Sequence, residues 1–313
     1  MVHQFKKHGY YIVLDVNSGI VHTVDELAYD VIEFINQIDE NMTTDKLAEA
    51  DTRRAVFRRF ADRAKEEELG ELLEEIGTLI ANGQLFTRDE YERYIDEVKA
   101  RKTVVKALCL HIAHDCNLAC RYCFAEEGEY HGRRALMSAG TGKKALDFLV
   151  KNSGNRRNLE VDFFGGEPLM NWEVVKELVR YGRELEKTND KKFRFTMTTN
   201  GVLLNDEIQD FLNAEMDNVV LSLDGRKEVN DRTRPFRNGK GSYDLIVPKF
   251  QKFAASRGNK KYFVRGTFTR YNLDFLQDIL HFADLGFDQI SMEPVVAPAE
   301  APYAIREEDI PVI

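Results

Sequence analysis

Between residues 102 and 313 the chain alternates short runs of β-branched and aromatic residues with longer runs whose apolar residues recur at helical spacing. This pattern predicts strands at 104–111, 159–164, 193–199, 219–224, 262–268 and 289–292, and helices at 142–150, 172–186, 207–213, 245–256 and 275–285. Six strands separated by helices imply a parallel sheet joined by right-handed crossovers. Such a sheet is either open or curled into part of a barrel. In both cases the working site lies at the C-terminal strand ends.

Unusual residues gather at those ends. After the first strand come Cys116-Asn-Leu-Ala-Cys120-Arg-Tyr-Cys123 and Phe124, which hold three of the four cysteines in the chain. The second strand ends in Phe163-Phe-Gly165-Gly166-Glu167-Pro168, the third in Thr198-Thr-Asn200-Gly201, and the fourth in Leu221-Ser222-Leu-Asp224-Gly225. Each of the last three could be an ordinary turn, since Gly-Gly, Asn-Gly and Asp-Gly are good turn formers. The cysteines are harder to explain in that way. Three thiolates so close together suit a soft metal centre, and a [4Fe–4S] cluster held by three of them keeps one iron open to a small ligand. A zinc site with His111, His114 or His131 as fourth ligand is the rival reading, although zinc ligands usually come as two short pairs. Cys109 stands apart within the first strand, where a small buried residue is expected.

Residues 1–101 read differently. Tyr10–Asp15 and Ile20–Thr23 flank a Val16-Asn-Ser-Gly19 turn, which predicts a hairpin. Thr23 or Asp25 can cap a helix with Ala28, Val31, Ile32 and Ile35 on one face, and a second helix carries Leu69, Leu72, Leu73, Ile76, Leu79 and Ile80 up to Gly83. With Leu85-Phe86 as a third short strand, residues 1–87 suggest a winged-helix-like domain. Residues 88–101 suggest a connecting helix with Tyr91, Ile95 and Val98 on one side. The net charge of −9 argues against a phosphate-backbone partner, so this domain is not expected to bind nucleic acid. No apolar run approaches the roughly 20 residues of a membrane span, and the first residues, Met1-Val-His-Gln-Phe-Lys-Lys, lack an apolar signal core. A cytoplasmic setting with reduced thiols is therefore expected.

The cysteine spacing, with Tyr122 before the last cysteine, resembles the signature of radical S-adenosylmethionine (SAM) enzymes, and the order of the later motifs resembles their core. The resemblance implies a partial (β/α)6 barrel. It implies that Cys116, Cys120 and Cys123 ligate a [4Fe–4S] cluster whose open iron takes the amino and carboxylate groups of SAM. Gly165-Gly166-Glu167-Pro168 matches the family's Gly-Gly-Glu-Pro motif, which implies that Glu167 and nearby backbone hold the SAM ammonium. Tyr122 would flank the adenine through its backbone, Ser222 and Asp224 would meet the ribose or carboxylate, and Asn200 would line the same cleft. Arg234 and Arg265 are candidates for the SAM carboxylate, with a solvated or barrel-wall arginine as the alternative for each. The implied reaction is reductive cleavage of SAM to a 5′-deoxyadenosyl radical that abstracts hydrogen from a substrate carbon.

A small winged-helix-like domain ahead of such a core resembles the leader-recognition element of enzymes that modify ribosomally made peptides, in which the leader adds a strand to a sheet edge. Gly9–Gly19, Val24–Val31, Leu221–Pro235 and Gly239–Ser242 resemble maturases of SCIFF (six-cysteines-in-forty-five) peptides. Those enzymes join a cysteine sulfur to the α-carbon of another residue. The resemblance implies a Cys-rich precursor peptide as partner and a flavodoxin or ferredoxin as reductant. The family also carries a C-terminal SPASM or twitch-type extension with further cysteines, whereas no cysteine follows Cys123 here. The chain is accordingly expected to be truncated before any such domain, to hold one cluster, and to cleave SAM while crosslinking peptide poorly. Another radical SAM peptide or protein modifier, related to sulfatase maturases, and a peptide-binding module without activity are the competing readings.

Overall fold

A computed structural model of the protein describes residues 1–101 and 103–313. The chain falls into two compact units, Met1–Lys102 and Thr103–Ile313.

The first unit opens with three antiparallel strands in the order β1 (Val2–Lys7), β2 (Tyr10–Asp15) and β3 (Ile20–Val24). The predicted hairpin is β2–β3. The remaining strand of the sheet is β1, however, and not Leu85-Phe86. Those two residues are buried without forming a strand. Their segment is fixed by side chains instead: His22 Nε2 lies 2.9 Å from the Gln84 carbonyl, and the buried Asp15 carboxylate accepts the Thr87 amide at 2.9 Å. Four helices follow: α1 (Glu26–Ile38), α2 (Thr44–Ala48), α3 (Ala50–Phe60) and α4 (Glu66–Ala81). Asp25 is the cap of α1, accepting from the Ala28 amide at 2.8 Å. Val31, Ile32 and Ile35 from α1 meet Val56, Leu69, Leu73 and Ile76 in the core of this unit. The short helix α5 (Ile95–Ala100) buries none of its residues; Tyr91, Ile95 and Val98 are exposed rather than packed along one side.

The second unit contains β4 (Ala107–His114), β5 (Ala135–Leu136), α6 (Ala139–Asn152), β6 (Asn158–Gly165), α7 (Trp172–Thr188), β7 (Lys192–Thr199), α8 (Asp206–Glu215), β8 (Asn218–Ser222), α9 (Lys227–Thr233), α10 (Tyr243–Ser256), β9 (Lys261–Phe268), α11 (Leu276–Asp284) and β10 (Ile290–Pro294). The sheet order is β10-β9-β8-β7-β6-β4-β5, parallel throughout except for β5, which is antiparallel to β4. All six predicted strands are present. The first is displaced, running to His114 because the ladder resumes after a register shift and pairs Ala113 with Gly165. The two-residue β5 and the short α9 went unread because neither is long enough to show a period. One sheet face is covered by helices through Leu110, Val161, Phe163, Phe195, Val219 and Val264. The opposite face carries the alternate residues. Among the described residues no helix is long and apolar enough to cross a membrane.

Candidate active site

A single cavity at the C-terminal strand ends is lined by Cys116, Cys120 and Cys123, together with Tyr122, Gly165, Gly166, Asn200, Ser222 and Arg234. Residues from β6, β7 and β8 therefore meet the cysteine loop that follows β4, as topology demands of a parallel sheet.

The two glycines make this approach possible. A Cβ on Gly166 would lie 2.2 Å from the Asp115 carbonyl oxygen, and one on Gly165, at φ +124°, would lie 2.4 Å from that of Ala113. Without side chains here, the Gly166 and Glu167 amides donate to Ala113 at 2.8 Å and to Asp115 at 2.9 Å, so the end of β6 is bonded to the start of the cysteine loop. From the other side, the Ala119 amide donates to Pro235 at 2.8 Å and that of Arg121 to Thr233 at 2.9 Å. Arg237, which sequence reasoning passed over, donates to the Cys116 carbonyl at 2.6 Å. The loop is held along both edges.

Glu167 does not face the cavity. Its carboxylate is fully buried and turned inward, accepting from Leu169 N at 3.0 Å, Thr199 Oγ1 at 2.8 Å and Asn200 N at 2.8 Å. Burial pushes its pKa up, against the lowering effect of these donors. It works as a clamp between the ends of β6 and β7, and Pro168 is likewise buried outside the lining. The clamp orients Asn200, whose Nδ2 donates to Asn117 Oδ1 at 2.7 Å and lies 3.6 Å from Cys116 Sγ.

Asp224 is also buried behind the cavity wall. It accepts from the Tyr122 hydroxyl at 2.8 Å, from Thr233 Oγ1 at 2.6 Å and from Thr267 N at 3.2 Å. Burial raises its pKa, while Arg234, 3.8 Å away, opposes that rise. Arg234 Nη1 donates to the same Tyr122 hydroxyl at 2.8 Å, so Tyr122, itself a residue of the lining, contributes its phenol to the network. The guanidinium is thus held rigidly while its buried Nε has no partner. Arg265 is not brought to the cavity; it sits on β9, about half exposed, 3.4 Å from Glu293. Cys109, expected to be buried, is exposed, because its register places it on the sheet face away from the helices.

The thiols themselves are desolvated. Burial pushes Cys116 up to about 11 and Cys120 to about 12, so both favour the protonated form until a cation compensates them. The zinc alternative finds no fourth ligand. His111 and His114 stack against Tyr130 at 4.5 and 4.9 Å, and His131 pairs with Glu126 at 2.8 Å. Among the described residues no three His, Cys, Asp or Glu side chains converge as a single ion would require.

Residues 110–283 match the Radical SAM superfamily, a span that runs from β4 into α11. The chain belongs to the radical SAM superfamily. Membership implies a [4Fe–4S] cluster and SAM, and the residues present fit both: three thiols line one cavity, and a buried donor of a lining residue, Arg234 Nε, lacks a partner. A carboxylate is the natural acceptor for such a donor. Among radical SAM proteins, the chain is 26% identical over 230 residues to the radical SAM cyclopropyl synthase TigE of Paramaledivibacter caminithermalis, covering 67% of this chain and 46% of TigE. It is 28% identical over 205 residues to the cysteine-type anaerobic sulfatase-maturating enzyme of Clostridium novyi, covering 62% of this chain and 54% of that enzyme. In fold it is similar to anSMEcpe solved with bound AdoMet and the Cp18Cys peptide, with a TM-score of 0.58 and 20% identity over 66% of this chain and 57% of that one. The chain spans about half the length of the curated relatives it matches.

Proposed function

We propose that the protein is a radical SAM peptide maturase, acting on a ribosomally made, Cys-rich precursor peptide to form Cys thioether crosslinks. When bound, the cluster and SAM supply hydrogen-atom abstraction from an unactivated carbon, driven by one-electron reductive cleavage of SAM. The chain's own residues bind and orient. Cys116, Cys120 and Cys123 hold the cluster. Arg234, braced by Tyr122 and Asp224, offers its free Nε to the SAM carboxylate, and the glycine backbone lets the amino acid end of SAM approach closely.

The observation that carries the peptide reading is an outer strand of the N-terminal sheet, β3. Among the described residues β3 pairs only with β2, and its Val21 and Thr23 are exposed. An extended leader adding a strand there would satisfy the open backbone groups. The cysteine-type anaerobic sulfatase-maturating enzyme among the relatives makes a sulfatase-maturase-like modifier the second reading.

The test is anaerobic reconstitution with iron and sulfide, followed by assay of 5′-deoxyadenosine from SAM and dithionite. Turnover is expected from the wild type and none from the Cys116/Cys120/Cys123→Ala variant. With a cysteine-rich precursor peptide and a one-electron acceptor, the product mass should fall by two hydrogens as a C–H and an S–H become a C–S bond. One hydrogen atom goes to the 5′-deoxyadenosyl radical, and the thiol proton goes to solvent while the remaining electron goes to the acceptor. Formylglycine formation from a sulfatase-type peptide, without that loss, would select the second reading.

A further inference from the structure

On the sheet face away from the helices, Cys109, Asp162, Thr196 and Asn218 stand opposite one another in register across β4, β6, β7 and β8. One step toward the strand starts, the polar groups are paired: Glu160 lies 3.8 Å from both Lys106 and Arg194. The Cys109 row is different. Asp162 Oδ1 and Asn218 Oδ1 are buried atoms with no hydrogen-bond partner among the described residues. A buried acceptor left unmet costs about 1–3 kcal/mol, and two in one row, with β7 between their strands, call for a functional explanation.

The cofactor cavity does not provide the missing partners. Its own unmet atom, Arg234 Nε, is a donor that suits the oxygens of a carboxylate. The row below is short of donors instead. It is also close: Phe164 and Thr198 line the cavity and stand two residues beyond Asp162 and Thr196 on the same strands, about 7 Å along the sheet. Asp162 and Glu293 share the guanidinium of Arg265, whose charge reaches both. A third unmet atom, the Tyr130 hydroxyl, lies in the field of Cys109 and of the cluster cysteines Cys116 and Cys123. Tyr130 is held over this region by stacking on His111 and His114, in a loop where four non-glycine residues adopt positive φ.

We propose that the Cys109–Asp162–Thr196–Asn218 row is a substrate subsite for a hydrogen-donating nitrogen, an ammonium or amide N–H of the peptide, and that it selects which residue is presented at the cofactor cavity. The inference rests on the peptide reading above and adds the chemistry by which one segment of the peptide is recognised. Asp162 and Asn218 are specificity-determining residues in it, with Thr196 between them as a neutral spacer.

The reconstituted chain with SAM is titrated calorimetrically with acetylated, amidated Gly-Gly-Xaa-Cys-Gly peptides in which Xaa is Lys, Asn or Leu. A second panel sets n-butylamine against n-butanol. The Lys or Asn peptide is expected to bind about tenfold or more tightly than the Leu peptide, and Asp162→Leu and Asn218→Leu should each erase the difference. Both replacements remove an unmet buried acceptor, so folding should persist, and iron content together with the unfolding midpoint verifies that it does. Asp162→Asn serves as a second variant and should lose preference for Lys while keeping that for Asn. Butylamine binding that depends on Asp162, in the absence of any peptide binding, would keep the subsite and overturn the peptide reading. Equal affinity within both panels, or a preference that survives both leucine variants, would overturn the subsite.

Discussion

The cofactor cavity and the sheet face beneath it are built from the same strands, two to four residues apart, yet the groups they leave unmet are opposite in kind: a donor, Arg234 Nε, at the cavity and two acceptors below it. At the cavity, residues distant in sequence are bound into closed networks. Glu167 takes three donors, Asp224 takes Tyr122 and Thr233, and Arg234 is held by Tyr122. Beneath it, Asp162 and Asn218 each carry an oxygen with no partner. The difference separates a site shaped for one invariant ligand from a surface that waits for a variable one. Preorganisation fixes most of the cavity's groups before anything binds and leaves a donor, Arg234 Nε, for the ligand, whereas the row below leaves acceptors.

The largest effect that could break this comparison is expected at Gly166. A methyl group there would meet the Asp115 carbonyl at 2.2 Å and the Gly128 Cα at 3.1 Å, both backbone atoms that cannot rotate away. Gly166→Ala should separate the cysteine loop from β6, and SAM cleavage is expected to fall about 100-fold or more, the scale reached when reacting groups shift by about 1 Å. Activity within a few-fold of wild type would show that the closed cavity is not needed.

Glu167 comes next, and it sharpens what the networks are for. Glu167→Ala would strand the Leu169 and Asn200 amides and the Thr199 hydroxyl, all buried. A loss of about 3 kcal/mol in unfolding free energy is expected, read by urea denaturation of the metal-free chain. A residue that only held the SAM ammonium would leave the metal-free stability almost unchanged while weakening SAM binding.

These placements bear on what was legible in the chain. The alternation of strand and helix and the cysteine triplet are local patterns, and they placed the sheet and the cavity correctly. Side-chain direction is not local. Nothing in Gly165-Gly166-Glu167-Pro168 says that the carboxylate turns inward to Thr199, because that choice depends on a donor 32 residues away. Arg234 and Arg265 looked equivalent as sequence. Only the register of β9, with Arg265 opposite Ser291, sends one to Glu293 while the strap after α9 brings the other to the cavity. Arg237 lay beside a motif already singled out and was passed over because its partner is a backbone carbonyl, which has no sequence signature. In the first unit Leu85-Phe86 had the composition of a strand, but the place beside β2 was taken by β1.

A smaller effect is expected at Arg234, whose loss would open the network without unfolding it. Arg234→Gln removes the charge that faces Asp224 and the buried, unpartnered Nε of a cavity-lining residue. SAM affinity should fall about 10- to 100-fold, in line with about 1.5–3 kcal/mol for a hydrogen bond to a charged group. Arg234→Lys should recover little of it, since an ammonium cannot bond Tyr122 and the ligand from one rigid plane. Equilibrium dialysis with SAM on the cluster-loaded chain decides the point.

The smallest effect concerns the open row and has a sign opposite to that of Asp15, a carboxylate held by donors in the first unit. Asp162 is pushed up from 3.8 to about 6 by burial, and Arg265 only partly offsets this. For an acid raised in the folded state, the stabilising contribution is complete below the unfolded value and is lost as pH rises through the folded one. Between about pH 4 and 6, Asp162 therefore makes the fold less stable with rising pH, opposite to a carboxylate held by donors such as Asp15, whose pKa the Thr87 and Ser18 bonds lower. Asp162→Asn should flatten the decline in melting temperature across that window, and an Asp15→Asn variant should lower the midpoint most at the high-pH end. If Asp162→Asn leaves the slope unchanged, the carboxylate is already satisfied in the free protein, and the contrast between a closed cavity and an open row fails at its key residue.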